Sequence, residues 1–182
     1  MNIKISPSIL GGTFSNIEEI VLNLDKSKAE YIHFDVMDGD FVPNLTFGPK
    51  FISDVRKYSN KTFDVHLMIN RVEKFLDEYI EAGSDIISFH LEIDEDIEKI
   101  ITRIKKKGLK CGLAIKPNTS WIEIQPYLNH IDQAKEQLLR KPMNLPKLNI
   151  INAPESIFDF KYENFKLINY NSAPNIKAPI AI

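Results

Sequence analysis

Two short strings of the sequence carry imidazole and carboxylate side chains at alternating positions. YIHFDVM places His33 and Asp35 two positions apart, and FDVHLMI gives Asp64 and His66 the same spacing. Side chains alternate between the two faces of a β-strand, so each pair shares one face if its string is a strand. Two histidines and a carboxylate on neighbouring strands are suitable ligands for Zn²⁺, Fe²⁺, Mn²⁺ or Co²⁺. The pattern therefore indicates a divalent metal site built from His33, Asp35 and His66.

The same residues have an interpretation that needs no metal. His33 and Asp35 would then be a hydrogen-bonded structural pair, and His66 would cap a loop. The second inward-facing histidine favours the metal site, because polar groups inside a parallel sheet must be compensated by pairing or by a metal. By itself, His90 in the string SFHLE is interpreted as a hydrogen-bonding core residue and not as a fourth ligand. Asp40, in the string DGD, is interpreted as part of a tight turn.

Short apolar runs alternate with longer amphipathic stretches, which predicts repeated βα units on a parallel sheet. The runs predict strands near residues 3–9, 31–36, 62–68, 85–91 and 110–116. The stretches predict helices at residues 16–27, 49–58, 71–82 and 95–107. Ser15 or Asn16 is expected to cap the first helix. Gly83 and Gly108 are expected to end the third and fourth helices.

The composition of the 182 residues, 43% hydrophobic and 26% charged, indicates one soluble globular domain. A formal net charge of -2 without a long basic run argues against a nucleic-acid or membrane-surface partner. No apolar run approaches the roughly 20 residues needed to span a bilayer. Cys111 is the single cysteine and cannot form an internal disulfide. The N-terminus lacks the apolar stretch of a secretory signal, so we expect a cytoplasmic protein that binds a small molecule.

Five strings occur in the order and at the separations found in ribulose-phosphate 3-epimerases. They are ISPSIL (5–10), IHFDVMDGDFVPNLTFGP (32–49), FDVHLM (63–68), AGSDIISFHLE (82–92) and KCGLAIKPNT (110–119). The chain resembles this family over about its first 132 residues. Allulose-6-phosphate 3-epimerases use nearly the same motifs, so the resemblance specifies the reaction more closely than the sugar phosphate.

The resemblance implies a (β/α)₈ TIM barrel of the ribulose-phosphate binding type. It also implies a metal-assisted isomerase of the pentose phosphate pathway, which converts D-ribulose 5-phosphate to D-xylulose 5-phosphate by inverting C3 through an enediolate. Asp35 would be a metal ligand and one of two acid/base carboxylates, and His33 and His66 would be the other ligands. The residues expected to contact the sugar phosphate are Ser8, His66, Met37 and Met68. A homo-oligomer is left open.

The sequence departs from this family after the string NHIDQ, at residues 129–133. The segment that follows is rich in proline and asparagine and contains no glycine. A family member would continue into glycine-rich phosphate-binding loops and would supply a second acid/base carboxylate. We therefore expect a partial barrel of about five βα units in residues 1–132 and an irregular tail in residues 133–182. Epimerase activity is expected to be impaired, and a non-catalytic truncated remnant or interaction protein is the alternative.

Overall fold

A computed structural model describes residues 4–136, which form a parallel sheet flanked by helices. The strands are β1 (Tyr31–Met37), β2 (Thr62–Met68), β3 (Ile86–His90), β4 (Lys110–Ile115) and β5 (Gln133–Glu136). The helices are α1 (Ile17–Lys26), α2 (Pro49–Arg56), α3 (Val72–Glu81) and α4 (Ile97–Lys106). The strands pair in the order β1-β2-β3-β4-β5, and every pair is parallel. The α/β fold class predicted from the sequence is confirmed. None of the helices in this part of the chain has the length and apolarity that crossing a bilayer requires.

The sheet has one apolar face and one face that carries polar side chains. Phe34 on β1, Phe63 on β2 and Phe89 on β3 have no exposed surface, and the rings of the first two lie 4.5 Å apart. Because side chains alternate along a strand, these rings lie on the face opposite to His33 and Asp35. The helices cover the apolar face, and the opposite face carries buried polar side chains, among them His33 and Asp35.

Helix α4 shows how the sequence pattern produces this packing. Its buried residues are Ile97, Ile100, Ile101 and Ile104. A spacing of three and four positions places all of them on the side of the helix that faces the sheet. The side chain of Asp96 caps the helix by accepting a hydrogen bond from the amide of Lys99 at 3.0 Å, a contact worth about 1 kcal/mol. The cap and the apolar stripe together fix where α4 begins and which side it buries.

Glycines end two of the helices as the sequence predicts. Gly83 follows α3 with φ of 97°, and Gly108 follows α4 with φ of 80°, a left-handed conformation that favours glycine. The prediction that Ser15 or Asn16 caps α1 is wrong. Ser15 lies within a short 3₁₀ turn, Phe14–Asn16, and the side chain of Asn16 makes no capping hydrogen bond. The turn leads directly into α1, so Asn16 lacks the extended backbone that a capping side chain normally has.

The strand expected near residues 3–9 is not formed in the described part of the chain. The segment lies beside β1, and the amide of His33 donates to the carbonyl of Pro7 at 2.9 Å, but only Ser8 forms a bridge with β1. Pro7 has no amide hydrogen to contribute to a ladder. Ser8 then turns the chain into a 3₁₀ helix by accepting a hydrogen bond from the amide of Leu10 at 3.3 Å. The segment nevertheless places Ser8 next to the polar face of β1.

Strand β5 was not anticipated from the sequence. It begins at Gln133, the residue at which the irregular tail was expected to start, and it pairs in parallel with β4. Its sequence, QAKE, contains no β-branched or aromatic residue and therefore lacks the usual composition of a strand. The division of the chain into residues 1–132 and 133–182 stays a prediction, because residues 137–182 lie outside the described part.

Candidate metal centre

His33, Asp35 and His66 come together on the polar face of β1 and β2. The strand register places Asp35 opposite His66, and all three residues are buried. Nε2 of His33 lies 3.1 Å from Oδ1 of Asp35, and Nδ1 of His66 lies 3.7 Å from the same oxygen. One ligand atom from each residue lies within 4.8 Å of the other two. Metal–ligand bonds to such atoms are about 2.0–2.2 Å long, so the cluster could hold one divalent ion.

The second ring nitrogen of His33 is held by another carboxylate. Nδ1 lies 2.9 Å from Oδ2 of Asp64, a residue with no exposed surface. Burial alone would lower the pKa of His33, but the carboxylates of Asp35 and Asp64 raise it to about 9. Burial would also raise the pKa of Asp35, but His33 holds it well below its usual range. In the metal-free protein, His33 is therefore an imidazolium that donates to both carboxylates.

His66 faces a third histidine that the sequence suggested as a core residue. Nε2 of His66 lies 3.0 Å from Nε2 of His90, and Nδ1 of His90 lies 3.1 Å from Oε2 of Glu92. The two imidazole rings are stacked, with centroids 5.0 Å apart. Burial lowers the pKa of both histidines, that of His66 to about 3. Both rings are therefore neutral at pH 7, and each carries one proton.

Of the residues expected to contact substrate, Ser8 is hydrogen-bonded to the candidate metal centre, and Met37 and Met68 follow its ligands on the same strands. The hydroxyl of Ser8 donates to Oδ2 of Asp35 at 2.6 Å. Met37 and Met68 are neighbours in the register of β1 and β2, at the carboxyl ends of both strands. Sequence reasoning missed Thr46, whose hydroxyl donates to the carbonyl of Asp35 at 2.8 Å and accepts from the amide of Met37 at 2.9 Å. Contact of any of these residues with a sugar phosphate stays a prediction.

The acidic residues that follow β1 organise loops. Oδ1 of Asp38 accepts hydrogen bonds from the amides of Asp40 and Phe41 at 2.9 and 2.8 Å. Oδ2 of Asp38 accepts from the amide of Asn70 at 2.8 Å. The carboxylate of Asp40 accepts from the side-chain amide of Asn70 at 2.7 Å. These contacts join the loop after β1 to the loop after β2, in agreement with the turn role suggested for Asp40.

The fold of this chain resembles those of solved structures to which its sequence identity is low. The tryptophan synthase alpha chain from Legionella pneumophila aligns with a TM-score of 0.53 at 16% identity, covering 78% of this chain and 63% of that chain. The N-acetylneuraminic acid synthetase from Leptospira borgpetersenii aligns with a TM-score of 0.51 at 17% identity, covering 78% of this chain and 55% of that chain. Both similarities are to enzymes of the TIM-barrel type, so they support the βα arrangement and nothing about activity.

Sequence comparisons are more specific. Ribulose-phosphate 3-epimerase from Rhodobacter capsulatus is 40% identical over 131 residues, which are 72% of this chain and 58% of that protein. The same-named protein from Schizosaccharomyces pombe is 40% identical over 132 residues, 71% of this chain and 58% of that protein. The chain thus spans less than two thirds of the length of these curated relatives. The sequence profile of the ribulose-phosphate 3 epimerase family matches residues 4–135. Because that match covers well over half of the chain, the chain belongs to the ribulose-phosphate 3-epimerase family.

Proposed function

We propose that this chain binds a divalent metal at His33, Asp35 and His66 and uses the centre to act on C3 of a ketose phosphate. The favoured substrate is D-ribulose 5-phosphate, with D-xylulose 5-phosphate as the epimer, because the curated relatives are named for that substrate. The observation that carries the proposal is the convergence of two imidazoles and one carboxylate within 4.8 Å of one another.

The donor set suits a metal of the Zn²⁺, Fe²⁺, Mn²⁺ or Co²⁺ class. Two imidazole nitrogens and a carboxylate oxygen are typical ligands of these ions, and burial excludes water that would compete for them. His33 is oriented from behind by Asp64, and His66 by His90; such outer contacts commonly hold metal-binding imidazoles in place. A bound cation would supply Lewis-acid stabilisation of the negative charge that develops on the ketose oxygen when the C3 proton is removed.

Asp35 is the proposed acid/base group. In the metal-free protein, His33 holds the pKa of the Asp35 carboxyl well below the usual range. A bound cation would likewise favour the ionised form, which is the one that accepts a proton. Ser8 occupies Oδ2 at 2.6 Å and limits rotation of the carboxylate. Asp35 would remove the C3 proton from one face of the sugar and return it to that face.

Inversion also requires a proton donor on the opposite face. Asp64 is an unsuitable donor, because His33 and Lys135 already bind its oxygens. We therefore expect exchange of the C3 proton with solvent to exceed net inversion in this chain.

The test combines metal binding with isotope exchange on the full chain. Binding of Co²⁺, Mn²⁺ and Zn²⁺ is measured by chelator competition for the wild type, Asp35→Asn and the control Asp40→Asn, whose site lies in a loop turn. Deuterium incorporation at C3 of ribulose 5-phosphate and formation of xylulose 5-phosphate are followed in parallel. We expect metal binding and exchange in the wild type and in Asp40→Asn, and the loss of both in Asp35→Asn. A wild-type chain that binds no metal and exchanges no proton would overturn the proposal and favour a non-catalytic protein.

A further inference from the structure

We propose that Lys116 is a positioning residue that holds the loop after β1 across the carboxyl ends of the strands. This loop, residues 38–46, is called the β1 loop below. Its contact with Lys116 joins residues 75 positions apart in the sequence and closes the His90 side of the candidate metal centre. The proposal rests on the proposed function in so far as the closed side would control the passage of a metal. Closure of the loop is a property of the protein without metal.

The β1 loop has a base fixed to β1 and a tip that lies against the rest of the protein. At the base, the amide of Thr46 donates to the carbonyl of Met37 at 3.1 Å. The amide of Gly39 donates to the carbonyl of Asn44 at 3.0 Å, so the residues between them form the tip. Phe41 is one of these, and only 9% of its surface is exposed. The tip therefore packs inward instead of projecting into solvent.

The ring of Phe41 contacts both a cation and a histidine. The ammonium nitrogen of Lys116 lies 3.7 Å from the ring centroid and 3.5 Å from the carbonyl oxygen of Phe41. A cation this close to a ring centroid is attracted by the negative face of the ring. The ring of His90 lies 4.8 Å from that of Phe41 and 5.0 Å from that of His66. Lys116 thereby holds Phe41 beside His90, which packs against a ligand of the candidate centre.

The backbone of Lys116 is itself fixed. Its amide donates to Oε1 of Glu92 at 2.6 Å, and the hydroxyl of Thr119 donates to the same oxygen. Glu92 follows β3, so Lys116 lies where the loops after β3 and β4 are joined. Asp38 ties the β1 loop to the loop after β2 by accepting from the amide of Asn70 at 2.8 Å. With the contact from Lys116, the loops after all four strands are connected.

Thiol labelling of the metal-free full chain tests whether Lys116 keeps the tip closed. Val42, in the tip, is 8% exposed, and Val42→Cys places there a thiol that reacts only when local opening exposes it. Cys111 on β4 has no exposed surface and reports wider unfolding in the same molecule. We expect Lys116→Met to speed labelling at position 42 by roughly 2–30-fold, the range that the strength of a cation–π contact allows. Labelling of Cys111 should be unchanged.

Two further variants separate the contact from a general loss of charge. Lys116→Arg should restore slow labelling at position 42, because a guanidinium is also attracted by an aromatic ring. Lys74→Met is the matched control. Lys74 lies over the ring of Phe75, 4.8 Å from its centroid, but on α3. Its loss should leave position 42 slow to react. Unchanged labelling at position 42 in Lys116→Met, or equal acceleration at Cys111, would overturn the proposal.

Metal exchange gives the second measurement, by stopped-flow absorbance with Co²⁺. If the β1 loop controls access alone, Lys116→Met should raise the rates of binding and release by the same factor and leave the dissociation constant unchanged. A changed dissociation constant with unchanged rates would contradict a role in access. If the wild type binds no metal while labelling at position 42 depends on Lys116, the proposed function fails and the closure of the loop by Lys116 stands.

Discussion

Lys135 and Asp64 form a buried ion pair that joins β5 to β2 across the polar face of the sheet. The ammonium nitrogen of Lys135 lies 2.9 and 3.0 Å from the two carboxylate oxygens of Asp64, although the residues are 71 positions apart in the chain. The side chain of Lys135 is 9% exposed and that of Asp64 is fully buried. Asp64 also accepts from His33. One charged network therefore runs from β5 to the candidate metal centre.

Replacing Lys135 with methionine should destabilise the fold. The substitution keeps most of the side-chain volume but leaves Asp64 with one positive partner, His33, instead of two. Removing one partner of a buried ion pair typically costs 3–5 kcal/mol. Because His33 still pairs with Asp64, we expect the free energy of unfolding to fall by about 3 kcal/mol. Urea unfolding of the full chain, followed by circular dichroism, measures this difference.

The matched control for that experiment is Lys105→Met. Lys105 also pairs with an aspartate, Asp132, at 2.7 Å, but its side chain is 43% exposed. Exposed pairs usually contribute no more than about 1 kcal/mol. If both variants lose the same free energy of unfolding, burial of the Lys135 pair adds nothing to stability.

The sequence predicted the candidate metal centre better than it predicted the strands at the edges of the sheet. His33, Asp35 and His66 lie on strands whose two-residue alternation is a local property, so their shared face follows from spacing alone. Strand β5 has no such signal, because pairing with β4 decides its conformation. Lys135 was missed for the same reason.

The hydrogen bonds that hold the carboxylate of Glu92 could not be predicted from the sequence either. The alternation of His90 and Glu92 in SFHLE places both on one face of the chain. The donors that orient the carboxylate come from Lys116 and Thr119, which follow β4. The spacing of nearby residues could not have shown these contacts.

Substituting alanine for Gly112 should disturb the contact between β3 and β4. A Cβ atom at this position would lie 2.2 Å from the hydroxyl oxygen and 2.9 Å from the Cβ of Ser88. Overpacking of this kind usually costs about 1–3 kcal/mol, measurable by thermal or urea unfolding. The double variant Gly112→Ala with Ser88→Ala should recover part of the loss. Gly48→Ala is the steric control, because nothing lies within 4 Å of its added Cβ.

The thiol of Cys111 should be unreactive in the folded protein. The residue has no exposed surface, and burial, with a contribution from Asp132, raises its pKa from 9.0 to about 12. A rise of that size lowers the thiolate fraction at pH 8 by about 10³-fold. Reaction with a chromogenic disulfide reagent at pH 8 should therefore be slow in buffer and fast in denaturant. Because the chain has a single cysteine, the signal comes from Cys111 alone, and a fast native reaction would contradict its burial.

The contribution of Glu92 to stability should depend on pH in a defined direction. Burial would raise its pKa, but hydrogen bonds outweigh that effect and lower the pKa in the folded protein from 4.5 to about 2. A carboxylate with a depressed folded-state pKa contributes stability that is fully present above the unfolded value and is lost as pH falls toward the folded value. The free energy of unfolding of the wild type should therefore exceed that of Glu92→Gln most strongly above about pH 5, and the difference should shrink between pH 4.5 and 2. Urea titrations from pH 7 to 3 measure the difference, with Glu95→Gln as the control for removal of a nearby acidic group. If the difference in unfolding free energy between wild type and Glu92→Gln grew as pH fell, the fold would have to stabilise the protonated carboxyl. That result would contradict the assigned hydrogen bonds.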